Sequence, residues 1–216
     1  MSSARPTIRS ILAPTAAKAV TVVATGAVAA ALSLTATAGA ATGGAHARSA
    51  TASSFSFGLK PSSSAISACL PKAGGHVTIT PGKLNDTMTV NLHGMPPNTG
   101  FDLFVILQPT APFGVSWYQS DIQANDNGYG SATVRGIFDA ETFSVSPGGT
   151  TTFAPTHQYH LGVWFNDPNV PFNLGCEPGA TQAIVTPFNG EQHAGIQVVN
   201  TAQFPVDAGP LSHVHR

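Results

Sequence analysis

The sequence predicts an all-β protein whose folded part is a single antiparallel β-sandwich, and two observations support this. From residue 65 onward, short runs of alternating apolar and polar residues are separated by turns rich in Gly, Pro and Asn, as expected for half-buried strands. No stretch keeps the 3.6-residue apolar period of a helix for long without meeting Gly or Pro. About seven to nine short strands with regular turns are typical of a two-layer sandwich.

The start of the chain predicts a signal peptide, residues 1–40, that is removed on export. Three basic residues precede or enter an apolar region whose segment 19–34 has no charge. Residues 38–40 (Ala-Gly-Ala) offer the small-x-small pattern that a signal peptidase cuts, and 45–47 (Ala-His-Ala) offer a second. The apolar run is short and ends in a cleavage pattern, so we expect a secreted protein with no membrane span after signal removal.

Composition divides the remainder of the chain into three parts. Residues 41–64 are rich in Ala, Ser, Thr and Gly and predict a low-complexity, flexible tether, in which Phe55 and Phe57 could dock as a short edge strand. The β-sandwich domain is predicted over 65–205 and a mobile tail over 206–216.

Local alternation places the individual strands. Residues 88–92 alternate between one buried and one solvated face, and 101–107 is apolar on both parities, as a central strand would be. Strands over 115–122 and 131–138 flank Asn127-Gly128, a pair that suits a hairpin turn with positive φ. The last predicted strands are 159–165, 183–185 and 196–199.

One of these strands resembles a known motif. Residues 153–163 (Phe-Ala-Pro-Thr-His-Gln-Tyr-His-Leu-Gly-Val) resemble the strand of immunoglobulin-like and fibronectin type III domains that carries the tyrosine corner. In those domains a Tyr hydroxyl bonds to the backbone upstream, a structural role that the resemblance gives to Tyr159. The order Cys69, Trp117, Cys176 mimics the immunoglobulin order with wider gaps. The resemblance therefore implies an immunoglobulin-like sandwich and not an immunoglobulin domain.

The chain also resembles a group of uncharacterised secreted proteins from actinobacteria. The segments that carry the resemblance are GMPPNTGFDL (94–103), PFGVSWYQ (112–119) and TPFNGEQHAG (186–195). The resemblance spans about residues 69–205. It implies secretion and fold, and it transfers no ligand and no catalytic residue.

Charge excludes two classes of partner. Of nine Lys and Arg residues, three lie in segment 1–40, so six remain against ten Asp and Glu, a net charge of −4 with neutral His. A nucleic-acid binder needs a positive surface that displaces counterions from phosphates, and an anionic membrane surface makes the same demand. We therefore expect neither nucleic acid nor lipid headgroups as partners.

Cys69 and Cys176 are the two cysteines of the chain. An even pair in an exported domain predicts a disulfide, and this one would close a loop worth roughly 4–5 kcal/mol in the chain-entropy model. A catalytic or metal-binding thiol is the alternative, but no CxxC or Cys-His spacing supports it.

No motif predicts catalysis or a cofactor. The sequence has neither an HExxH pattern nor a nucleophile elbow nor a phosphate-binding glycine loop. Asp139 and Glu141 come nearest to a glycosidase pair, and Glu191 and His193 come nearest to a metal-binding pair. These four residues define one alternative, a small metal- or carboxylate-dependent extracellular hydrolase, whereas our expectation is a non-enzyme.

Three aromatic residues are the candidate ligand-binding groups. Trp117 and Tyr118 are adjacent, so one of them should face outward, and Trp164 has the opposite parity to the core face of its strand. Exposed Trp and Tyr on a neutral surface stack on sugar rings, which predicts polysaccharide binding by a non-enzymatic extracellular or envelope-associated protein. Two alternatives remain: Trp117 and Trp164 fill the interior, or the protein is a structural coat or adhesion unit.

Overall fold

Eight antiparallel strands form the main sheet. The computed structural model describes residues 53–138, 159–187 and 194–214, and the backbone of 144–145 and 151–152. The strands of the main sheet are β1 (Phe55–Pro61), β2 (Gly74–Thr80), β3 (Asp86–His93), β4 (Gly100–Ile106), β5 (Ser116–Gln123), β6 (Gly130–Gly136), β9 (His160–Phe165) and β10 (Gln197–Asn200). The short strands β7 (Ser144–Val145) and β8 (Thr151–Thr152) pair with each other. The helices are α1 (Ser64–Cys69), α2 (Asn169–Asn173) and a 3₁₀ turn (Pro210–His213).

The strand order is β5-β4-β9-β10-β1-β2-β3-β6, and every pair is antiparallel. The two end strands, β5 and β6, are joined by a hairpin in which Asn125 N donates to Tyr129 O at 2.8 Å. A Cβ added at Gly130 would meet the side chain of Ile122 and the carbonyl of Gln123, so the end strands lie close together. The sheet is therefore nearly closed, and the antiparallel all-β prediction is confirmed.

β1 joins the two parts of this sheet, which are β5-β4-β9-β10 on one side and β2-β3-β6 on the other. Its residues 55–59 pair with β2, and Lys60 and Pro61 pair with Asn200 and Val199 of β10. Hydrogen bonding thus makes one continuous sheet where the sequence predicted two separate ones. The predicted tether, 41–64, includes these residues and offers an edge strand only for the Phe pair, whereas β1 lies between β10 and β2. Buried Phe57 and Leu59 explain its place in the sheet.

The hydrophobic core lies between the two parts of the sheet. One cluster of buried residues draws on both parts and includes Val77, Ile79, Met88 and Val90 from β2 and β3, and Phe101, Leu103, Leu161 and Val163 from β4 and β9. Burial of each such side chain contributes about 1.5–3 kcal/mol. The alternate residues of β4, Phe104 and Ile106, lie on the face of the sheet away from this core, next to the candidate functional site.

The predicted mobile tail is anchored where the structure describes it. Pro210 and Leu211 are buried, and Leu211 N donates to Tyr159 O at 3.0 Å. An isolated Pro-Leu pair has no periodicity from which burial could be predicted. Residues 183–185, predicted as a strand, lie outside the strands, and a single bridge joins the neighbouring Thr186 to Ala194.

Candidate functional site

The disulfide between Cys69 and Cys176 is present, as predicted. It joins the C-terminal end of α1 to the segment that follows α2, with 5.2 Å between the two Cα atoms. Ser63 caps α1 by accepting a hydrogen bond at Oγ from Ile66 N, and Ile66 is fully buried. The disulfide therefore links segment 176–187 to a helix that is itself packed against the core through Ile66.

A second apolar cluster covers the outer face of β4 and β9. Trp164 packs edge-on against Phe104 and Phe113, with ring centroids 5.4 Å and 5.0 Å apart. Trp164 thus faces away from the main core, as its parity predicts, but its exposed fraction is 0%. It cannot act as the exposed aromatic that sequence analysis proposed, because Phe113 and its loop cover this face.

Phe113 lies in the loop between β4 and β5, and its backbone is in the left-handed region, at φ 48°. Phe113 N donates to Thr110 O at 3.0 Å and Phe113 O accepts from Gln108 N at 2.9 Å. Asn200 Nδ2 donates to Pro109 O at 2.9 Å and ties the same loop to β10. A bulky residue at positive φ is costly and persists where the surroundings fix it, often beside a binding site.

A cavity of about 450 Å³ opens beside this loop. Its walls come from the β4–β5 loop, the start of α1, the segment after the disulfide, and β10. The lining residues that bear on its chemistry are Phe113, Trp164, Glu177, Ile184, Ile196 and Gln197. Among the described residues that line it, Glu177 is the single charged side chain.

One carboxylate oxygen of Glu177 accepts a hydrogen bond and the other accepts none from the described residues. Oε2 accepts a hydrogen bond from Ile184 N at 2.9 Å, and 7% of the residue is exposed. Oε1 is buried and has no hydrogen-bond partner within the described ranges. Buried polar atoms are paired in the great majority of cases, so this unused carboxylate oxygen is an exception.

A chain of hydrogen bonds fixes the orientation of the Gln197 amide. Asn200 Oδ1 accepts from Ala202 N at 3.0 Å, so Asn200 Nδ2 is the atom that donates to Gln197 Oε1 at 2.8 Å. The other atom of the Gln197 amide is therefore the NH₂ donor. This Nε2 is buried near Gly162 and the Trp164 ring, and it has no hydrogen-bond partner in the described part of the chain.

Trp117 and Tyr118 are both exposed but lie on opposite faces of β5. Trp117 pairs with Val105, a main-core residue, and Tyr118 pairs with Phe104 of the outer cluster. Their exposed fractions are 40% and 47%. Tyr118 is held in place: its ring packs edge-on 5.6 Å from Phe104, and its hydroxyl donates to Asp121. The three predicted aromatics therefore do not form one binding platform.

Several other predicted site residues lie outside the described residues. Asp139, Glu141, Glu191 and His193 are in that group. Tyr159 packs against the main core, while residues 153–158, the upstream backbone for a tyrosine corner, also fall outside. Both hypotheses that depend on these residues stay predictions.

Within the described ranges, no group of three His, Cys, Asp or Glu side chains is arranged to hold a metal ion. Nor does any helix there have the length and apolar character needed to cross a membrane. His93 Nδ1 lies 3.1 Å from the carbonyl oxygen of Lys72.

Sequence reasoning missed Glu177 and Gln197. The one available signal was that Glu177 is the single charged residue between Asp167 and Glu191 and directly follows a disulfide cysteine. The chain matches no protein-family model, and no curated protein is significantly similar to it in sequence.

Proposed function

We propose that this chain is an exported, non-enzymatic binding protein whose small ligand occupies the cavity lined by Phe113, Glu177 and Gln197. The observation that carries the proposal is the cavity itself, of about 450 Å³, whose lining combines the aromatic ring of Phe113 with the charged residue Glu177. A disulfide is typical of proteins outside the cytoplasm, which supports the exported location together with the N-terminal signal pattern.

The lining has the chemical character of a binding site. Glu177 and Gln197 are polar residues in a wall that also contains Phe113, Ile184 and Ile196. Specific sites commonly combine apolar walls with a few fixed polar groups in a cavity of about 300–1,000 Å³. The cavity beside Glu177 has this size and this composition.

A titration followed by two-dimensional NMR tests the proposal. The protein would be titrated separately with cellotriose, chitotriose, butylammonium, 1-butanol and butyrate. We expect at least one probe to shift the backbone amides of Glu177, Ile184 and Gln197. Ala65→Trp fills the cavity from α1 and should abolish the shifts, whereas Ala208→Trp, at an exposed position outside the lining, should leave them unchanged.

Two results would overturn the proposal. In the first, none of the five probes shifts these amides. In the second, the same shifts persist in the Ala65→Trp protein, which would place the bound probe elsewhere. A folded one-dimensional spectrum of each variant is the control for global unfolding.

A second candidate function, polysaccharide binding, is favoured by the exposure of Trp117 and Tyr118 on β5. The protein would be mixed with cellulose, chitin, xylan and bacterial cell walls, and the supernatants assayed for lost protein and released sugar. Depletion that Trp117→Ala or Tyr118→Ala abolishes would support this function, and no depletion would remove it. Released sugar would instead favour the hydrolase that sequence analysis built on Asp139 and Glu141.

A further inference from the structure

We infer that the molecule has a second binding site, the open edge of β1 at Ser56, which pairs with a short extended peptide whose aromatic side chains enter a cavity walled by phenylalanine rings. This cavity shares no lining residue with the one beside Glu177. The inference therefore does not rest on the proposed function.

The backbone of β1 directs Ser56 away from β2. Gly58 O accepts a hydrogen bond from Gln203 Nε2 at 2.6 Å, on the edge opposite β2. In an antiparallel strand the N–H and C=O of one residue point to the same edge, and residues two apart share that edge. The hydroxyls of Ser56 and Thr78 lie 2.9 Å apart, as expected for paired residues that exchange no backbone hydrogen bonds and so bring their side chains close together. Ser56 N–H and C=O therefore face the same edge as Gly58 O.

β10 uses this edge at the far end of β1 and then leaves it. Just beyond β1, Ser62 N donates to Val198 O at 3.0 Å. After β10 the chain turns, with a hydrogen bond from Phe204 N to Thr201 O at 3.0 Å. In the part of the chain that the structure describes, no strand pairs with this edge of β1 at Ser56. An extended peptide placed there continues the ladder that β10 begins, as in the addition of a strand to a sheet edge.

A cavity of about 590 Å³ opens at this edge, and Ser56, an exposed residue, is part of its lining. Aromatic rings form its walls. Phe57 packs edge-on against Phe204, and Phe55 against His213, with ring centroids 6.2 Å and 6.0 Å apart. Phe55 and Phe204 are half-buried and His213 is exposed, so these residues keep surface that a ligand can contact.

The pleat of the sheet decides which peptide side chains enter the cavity. A peptide residue opposite Ser56 points to the same face as the Ser56 side chain, away from the core, and its two neighbours point to the face of Phe55 and Phe57. None of the described lining residues is Asp, Glu, Lys or Arg, so neutral side chains match these walls. Aromatic side chains bury the most apolar surface there and add ring pairs. The site therefore selects an extended peptide with an aromatic residue on each side of the one that pairs with Ser56.

Titration with matched tripeptides, followed by calorimetry and two-dimensional NMR, tests the inference. The probe is acetyl-Phe-Thr-Phe-amide, and we expect it to shift the backbone amides of Ser56, Phe57 and His213. Acetyl-Ala-Thr-Ala-amide lacks the rings and should bind about tenfold or more weakly.

Two N-methylated forms of the probe test the backbone pairing. A methyl group on the Thr nitrogen removes the N–H that donates to Ser56 O, and we expect about tenfold or more weaker binding. A methyl group on the nitrogen of the second Phe, whose N–H points away from β1, is the control and should change the affinity less than threefold. Equal affinity of the two methylated forms would overturn the inference.

Ser56→Pro tests the donor on the protein side. Proline removes the Ser56 N–H, which is outside the β1–β2 ladder, and proline is tolerated at such edge positions. Ser56→Ala is the matched control, because it removes the hydroxyl and keeps the N–H. We expect Ser56→Pro to bind the probe about tenfold or more weakly and Ser56→Ala to change the affinity less than twofold. If Ser56→Pro does not fold, the comparison of methylated peptides with the unsubstituted protein decides alone.

The remaining outcomes name other occupants or separate the two sites. A dimer in sedimentation without peptide, abolished by Ser56→Pro, would make a second copy of this chain the occupant and overturn the peptide. Shifts confined to Glu177, Ile184 and Gln197 would place the probe in the other cavity, which supports the proposed function and overturns this inference. Absence of any shift also overturns it and leaves the proposed function to its own probes.

Discussion

His160 Nδ1 and Thr201 Oγ1 lie 2.8 Å apart and join β9 to the residue that follows β10. His160 Nε2 lies 3.1 Å from two carbonyl oxygens, those of Pro205 and Val206, so Nε2 carries the proton. In the neutral ring Nδ1 accepts from the Thr201 hydroxyl, whose oxygen in turn accepts from Leu161 N at 3.1 Å. In its neutral form the buried ring therefore uses both of its nitrogens.

This arrangement predicts a loss of stability in acid. Desolvation by burial lowers the pKa of His160 below its usual 6.5, although hydrogen bonds to Val206 and Pro205 act in the opposite direction. The unfolded chain takes up the proton near 6.5 and the folded chain only at lower pH. The contribution of neutral His160 to stability is therefore complete above about pH 6.5. It is lost as the pH falls from there toward the lower pKa that His160 has in the folded protein.

Urea unfolding at pH 8 and at pH 5 measures this dependence. We expect the drop in unfolding free energy between the two to be smaller in His160→Gln than in the unsubstituted protein. His93→Gln, at an exposed histidine, is the control and should retain the full drop. An identical drop in all three proteins would rule out His160 as the source.

The disulfide predicts a large effect of reduction on stability. Cys69 and Cys176 are separated by 107 residues, and a loop of that size contributes roughly 4–5 kcal/mol through the unfolded chain. For a domain of this size that corresponds to a fall in Tm of roughly 10 °C or more. Calorimetry with and without dithiothreitol measures the fall, and the Cys69→Ala/Cys176→Ala protein should show the lower Tm in both conditions. A reductant-insensitive Tm in the unsubstituted protein would contradict the prediction.

The two tryptophans should respond very differently to truncation. Trp164 is fully buried between Phe104 and Phe113, so Trp164→Ala should lower the unfolding free energy by about 3–5 kcal/mol. Trp117 lies at the sheet end with 40% of its surface exposed, and Trp117→Ala should cost about 1 kcal/mol or less. Denaturant titration of the pair measures both values. Equal costs would mean that the outer cluster does not contribute to folding.

A comparison of alanine substitutions at Gly128 and Gly175 distinguishes the cost of backbone strain from the cost of a steric clash. Both have positive φ, 73° and 74°, so alanine at either costs about 1–2 kcal/mol of strain. A Cβ at Gly128 would also collide with the carbonyl oxygen of Met95, whereas a Cβ at Gly175 meets nothing within 4 Å. We expect Gly128→Ala to be the more destabilising by at least about 1 kcal/mol in thermal or denaturant unfolding. A larger cost at Gly175 would contradict this.

Local alternation predicted those strands whose pattern is set by one or two buried faces. β3 alternates as expected, and β4 is apolar on both parities because Leu103 faces the core while Phe104 faces Trp164. β1 was expected only as an optional edge strand at the Phe pair, because Phe57 and Leu59 are its two buried apolar residues in a stretch of small and polar residues. β2 was missed: Gly74 and Gly75 begin it, and its apolar pattern is short.

The candidate site depended on tertiary contacts that periodicity does not encode. Parity correctly placed Trp164 on the face opposite the core, but its burial comes from a loop about fifty residues earlier in the chain, which carries Phe113. Glu177 and Gln197 meet at one cavity because the disulfide and the β9–β10 pairing bring separate segments together. The disulfide itself was predictable from the even number of cysteines and the expectation of export.

The position of β1 bears on the order in which the molecule folds. Lys60, near the start of the folded region, pairs with Asn200, near its end. A polypeptide that emerges N-terminus first presents β1 long before this partner exists, and contacts so remote in sequence form late. The sheet therefore stays incomplete until almost the whole chain has emerged. Under the export that we propose for this chain, that delay would keep the polypeptide unfolded enough to pass through a translocation channel until its passage is nearly finished.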